Sequence, residues 1–166
     1  MSAPRHDPAR QPAWSPGRNA IGLWTAEGVL GALFWVVVVV LLEVFLPLPT
    51  WVAVLLPVLV VVEAVVTIGL RPRLRYRVHR WEVTDEAVYT LTGWLSRTWT
   101  LVPVSRIQTV DVTRGVVQQV FGLATVAVLT ASSQGTVRIL HLEADVAARV
   151  ADDLARRAET VRDEAT

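Results

Sequence analysis

Residues 43–54 read EVFLPLPTWVAV, and this stretch decides whether the apolar part of the chain is one long helix or two. It interrupts a run from Gly28 to Leu70 in which only Glu43 and Glu63 carry charge. As a single helix that run would reach roughly 65 Å, about twice the hydrocarbon core of a bilayer. Pro47 and Pro49 argue against it: each removes a backbone donor and biases the preceding residue toward an extended conformation. The reading is a transmembrane helical hairpin over 21–70, with spans near 24–46 and 51–70. Trp24 and Trp51 are then expected near opposite membrane interfaces, where indole is favoured.

Arginine placement orients the hairpin. Arg5, Arg10 and Arg18 precede it, and Arg71, Arg73, Arg75, Arg77 and Arg80 follow it, while the turn has none. Basic residues favour the cytoplasmic side. The expectation is a multi-pass protein of the cell (inner) membrane with both termini cytoplasmic. The segment 71–80 reads as a basic juxtamembrane stretch that fixes topology and can also attract anionic lipid. Residues 1–20, rich in proline, arginine and small residues, read as a disordered cytoplasmic tail.

The bulk composition agrees with two spans plus one small domain. The chain has 166 residues, 52% of them hydrophobic, a mean hydropathy of +0.43 and no cysteine, so disulfides and thiolate metal sites are excluded. From Trp81 onward eight arginines stand against eleven acids. That balance argues against a nucleic-acid partner.

Beyond the arginines the pattern becomes that of strands. YRVHRWEV (76–83) and AVYTLTGW (87–94) flank a turn at TDE, and RTWTLVPV (97–104) and RIQTVDVT (106–113) follow. LATVAVLTA (123–131) and TVRILHL (136–142) are joined by SSQG, which has turn chemistry. From Glu143 the period becomes helical, with Val146, Val150, Leu154 and Val161 along one face.

Six strands and a helix suit a pleckstrin-homology-like domain over 76–162. The stretch VPVSRIQTVDVTRGVVQQVFGLATVAVLT (102–130) resembles the signature of the YdbS-like bacterial membrane proteins with a PH-like domain. YRVHRWEVTDEAVYTLTG resembles that domain's opening hairpin. The signature residues are Arg106, Ile107, Gln108, Gly115, Phe121 and Gly122. The resemblance implies a membrane-anchored α+β fold: a two-helix hairpin, then a bent antiparallel β-barrel closed by a C-terminal helix. It also implies a cytoplasmic domain for protein interaction or assembly, and it supplies no catalytic residues. Asp85 and Glu86 occupy the loop where lipid-binding PH domains place basic residues, which disfavours phosphoinositide there.

Within RGVVQQVFG, Val116, Val117, Val120 and Phe121 are assigned to one helical face between Gly115 and Gly122. Val120 and Phe121 are expected to plug one end of the barrel, the alternative being a contact with a partner or the membrane. Glu63, deep in the second span, is expected to face protein: a partner helix, or the hairpin's own contact face. His6, His79 and His141 lack metal-ligand spacing and read as isolated. Ser105, Ser132 and Ser133 lack a nucleophile motif. The expected function is a non-enzymatic interaction module with the lipid bilayer and a protein partner or its own copies as partners, and with no cofactor. The alternatives are a sensor of a small ligand or lipid headgroup at the barrel mouth, and an accessory subunit of a membrane enzyme or transporter.

Overall fold

The computed structural model describes residues 11–93, 95–130 and 135–164. Helix α1 (Ala20–Phe45) stops where Leu46 turns extended (φ −119°, ψ 136°) ahead of Pro47. Helix α2 (Thr50–Ala64) begins after Pro49 and carries Pro57 in its interior. A π-helical turn, Val65–Leu70, then leads without a break into α3 (Arg71–Val78). Inside the turn, Thr67 Oγ1 donates to the Glu63 carbonyl at 2.9 Å. A π-turn carries one residue more than α geometry allows, and such turns recur at functional sites.

Ala20–Phe45 and Thr50–Val78 are both long and apolar enough to cross a membrane. They are not core helices. No residue of α2 is buried, and Phe34, Trp35, Leu41, Leu55 and Leu59 all lie open. That much uncovered apolar surface associates with a membrane. The helices touch closely where Gly28 faces the π-turn, since a Cβ there would lie 2.9 Å from the Thr67 carbonyl oxygen.

The remaining chain forms two antiparallel three-stranded sheets. One holds β1 (Arg80–Val83), β2 (Ala87–Gly93) and β3 (Arg97–Pro103). The other holds β4 (Ile107–Thr113), β5 (Leu123–Thr130) and β6 (Thr136–Glu143). A 3₁₀ turn, Val104–Arg106, joins them, and α4 (Val116–Val120) links β4 to β5. Helix α5 (Ala144–Glu164) packs Ala147, Ala151, Leu154 and Ala158 onto Val104, Ile107, Val126 and Ile139. The alanines form the inner stripe, and Val146, Val150 and Val161 flank it.

The expected barrel is corrected by this topology: no ladder joins the two sheets among the described residues. The physical reason lies at residues 14–17. Trp14 exchanges both backbone hydrogen bonds with Trp81 of β1, at 2.9 and 2.8 Å. Three residues on, Gly17 N–H donates to the His141 carbonyl of β6 at 2.8 Å. The strap therefore occupies the edges of β1 and β6 that a direct ladder would need. Residues 11–19, read as part of a tail without order, are thus bound to the domain; residues 1–10 lie outside the described residues. The strap's side chains join in. Arg80 donates to Ser15 Oγ, and Trp81 Nε1 donates to the Ser15 carbonyl at 3.1 Å.

The strand expected from Tyr76 starts instead at Arg80. His79 N–H still donates to the Arg75 carbonyl at 2.8 Å, so the helix persists through Val78. Tyr76 packs against Ala20, Leu23 and Leu123. That helical packing overrides a period-two pattern of residues. The turn proposed at SSQG falls mostly outside the described residues, which resume at Gly135 with φ 69°.

Candidate interaction site at the base of the hairpin

The first turn of α1 does not stand clear of the domain. Ala20, Leu23 and Trp24 are buried with Leu123 of β5, and Tyr76, Val117 and Phe121 pack around them. Trp24 is only 3% exposed. Its indole is turned into protein, where it is the hub between hairpin and domain. The Arg75 guanidinium lies 5.0 Å from its ring centre, a cation–π distance. His79 and His141 stand at 5.4 and 5.2 Å, centroid to centroid.

Trp24 Nε1 donates to His141 Nε2 at 3.2 Å. An indole N–H can only donate, so Nε2 is the acceptor in this contact and the ring is not doubly protonated. The Gln118 amide approaches Nδ1 at 3.1 Å. Burial, then the positive charge of Arg75, then His79, push the His141 pKa down to about 4. Burial also lowers that of His79, partly offset by its hydrogen bond to the Arg75 carbonyl. His141 holds φ 57° inside β6, beside a register shift in its pairing with β5. Such a backbone costs of order 1–3 kcal/mol and persists only where its surroundings hold it.

Beside this hub lies a cavity of about 180 Å³ between α1 and the π-turn. Trp24, Glu27, Glu63, Thr67, Arg71 and Arg75 line it. Glu63 Oε2 is buried and has no hydrogen-bond partner among the described residues. A buried carboxylate oxygen without a donor is costly. Of the two faces considered for Glu63, the carboxylate occupies the hairpin's own. Among the described residues no three His, Asp or Glu side chains gather as a metal site.

The arginine run is divided by its helix. Arg71 and Arg75, one turn apart, line the cavity, while Arg73 and Arg77 are exposed outside it. Arg80 opens β1 and reaches the strap. The four apolar residues of α4 and its C-cap, Phe121, do not share a face. Val116 and Val120 are 81% and 79% exposed, whereas Val117 and Phe121 turn inward. Val120 therefore plugs nothing. Phe121 packs on α1, where a Cβ on Gly22 would lie 2.9 Å from its Cε1. Among the signature residues, Ile107 is core, while Arg106 and Gln108 are exposed. Gly115 donates its N–H to Gln118 Oε1 at 3.1 Å. Gly122, at φ 66°, ends α4 in the left-handed region and accepts from Ala144 N–H at 3.0 Å.

Sequence reading missed the hub and the strap. Trp24 and His141 are 117 positions apart, and no local period links them. The available signal was the placement of Arg75 and His79 four residues apart, which a helix brings onto one face.

Two apolar helices continuous with a domain of two small sheets and a C-terminal helix define a membrane-associated protein with a PH-like domain. The chain belongs to the bacterial PH domain family, which matches residues 28–158. It is similar to the UPF0699 transmembrane protein YdbS of Bacillus subtilis (strain 168), with 26% identity over 157 residues, covering 93% of this chain and 98% of that protein. No solved structure matches it.

Proposed function

We propose that the protein is a non-catalytic interaction module: a two-span anchor in the inner membrane, with both termini cytoplasmic, presenting its PH-like domain to a protein partner or to its own copies. The observation that carries this reading is the Trp24 hub. A domain on a free linker would sample orientations, but here α3 and Trp24 tie it to the hairpin base. That rigidity gives the domain one presentation relative to the bilayer. Val116 and Val120, open on α4, are the contact residues in this reading. Arg73 and Arg77 lie toward anionic headgroups and hold the inside orientation.

The test uses a photo-crosslinking residue at position 120 of the full-length protein in native membranes. The expected product is a discrete protein adduct of fixed stoichiometry, lost in Val116→Asp. Adducts to lipid alone would overturn the reading. Because the natural chain has no cysteine, Leu48→Cys and Ser105→Cys report topology directly. Position 48 should be labelled from outside the cell and position 105 only after permeabilisation.

A further inference from the structure

The polar cavity does not end at Glu63. On the other side of that residue an apolar groove of about 330 Å³ runs between the helices, walled by Trp35, Val39 and Leu42 of α1 and by Leu56, Leu59 and Val60 of α2. Glu63 lines both spaces. Together they form a cleft that is apolar toward the turn and charged toward the domain. Arg71 and Arg75 follow Glu63 by eight and twelve residues, about 12 and 18 Å of helix rise, yet their side chains line the same cavity as Glu63. Such a profile matches an amphiphile standing upright in one leaflet.

We infer that this cleft binds one single-chain glycerophospholipid with an amine headgroup. Each part of the ligand follows from a part of the cleft. The apolar groove takes the acyl chain. Arg71 and Arg75 are the cations at the depth of the phosphate, where guanidinium pairs are strong. Glu27, exposed at the cavity mouth, faces the ammonium. The deciding group is Glu63, whose buried Oε2 has no donor among the described residues. It lies below the phosphate level, at the depth of the glycerol. A diacyl phospholipid has both glycerol hydroxyls esterified beside the phosphate and offers no donor there. A single-chain lipid keeps one free hydroxyl, which donates to the carboxylate.

The inference rests on the membrane placement of the hairpin proposed above, but not on the protein partner. Its test is native mass spectrometry of the full-length protein in a detergent without hydroxyl groups. The probes are palmitoyl lysophosphatidylethanolamine and hexadecyl phosphoethanolamine, which share headgroup and chain length but differ in the glycerol. Expected is saturable binding of one lysolipid, about tenfold tighter than the glycerol-free probe, the scale of one hydrogen bond to a charged group. Glu63→Leu should abolish that preference, and Val60→Trp, which fills the groove, should weaken both probes. Equal affinities in the natural protein, non-saturable uptake, or a preference that survives Glu63→Leu would each overturn the inference. If Glu63→Leu fails to fold, the two-probe comparison and Val60→Trp decide. A failed topology experiment, by contrast, counts against the membrane placement itself.

Discussion

Trp24 on the first membrane-competent helix donates its indole N–H to His141 on the last strand, at 3.2 Å. The contact spans 117 positions and ties the base of the hairpin to the domain.

Trp24→Phe keeps an aromatic ring over Arg75 but removes the donor. It should destabilise the full-length protein by about 1–2 kcal/mol, the range for a lost buried hydrogen bond. Trp24→Ala should cost about 3–5 kcal/mol, since a large buried side chain is removed. Thermal unfolding in detergent, followed by the near-ultraviolet signal of the remaining tryptophans, measures both.

His141 gives the stability a pH dependence whose sign is determined. Its folded pKa, about 4, lies below the ordinary value near 6.5, so the unfolded chain takes up the proton first. Its contribution is complete above about pH 6.5, is lost progressively as pH falls to about 4, and then changes no further. His79, shifted in the same direction, adds to the loss. Denaturation midpoints across pH 7.5 to 4 should therefore fall in the natural protein and fall less in His141→Gln.

Gly28 and Gly31 sit one turn apart on α1 and should respond oppositely. Gly28→Val places a Cβ 2.9 Å from the Thr67 carbonyl oxygen and must push the helices apart. Overpacking of that kind costs about 1–3 kcal/mol. Gly31→Ala meets nothing within 4 Å and should be neutral or slightly stabilising, because alanine favours helix. Disulfide trapping between cysteines introduced on α1 and α2 reports the change in spacing.

The two halves of α4 separate stability from interaction. Phe121→Ala should cost about 2 kcal/mol, less than a fully buried phenylalanine, because Phe121 is half-buried against α1. Val120→Asp should leave the unfolding free energy within about 0.5 kcal/mol of the natural protein's, as exposed substitutions do. Chemical denaturation of the two variants side by side makes the comparison.

Local features of this fold were legible in the residues. Pro47 and Pro49 mark the turn of the hairpin, and the period change near Glu143 marks α5. What could not be read is what depends on distant partners. Tyr76–Val78 alternates like a strand, yet helical packing beside Trp24 decides its state. The barrel failed as an expectation because closure depends on whether β1 meets β6 directly, and Trp14 and Gly17 intervene. Glu63 could be flagged from its charge within an apolar run, but its position between two cavities follows only from the helix crossing at Gly28.

The strap also bears on how this protein can be handled. The usual soluble version of such a chain would begin after the second helix and discard residues 14–17 with the anchor. That fragment would expose the bare edges of β1 and β6, each a template for pairing with another molecule. Edge-to-edge self-association of the fragment would then be created by the truncation. A soluble form faithful to the natural domain needs residues 11–19 restored, fused through a short linker in place of the hairpin.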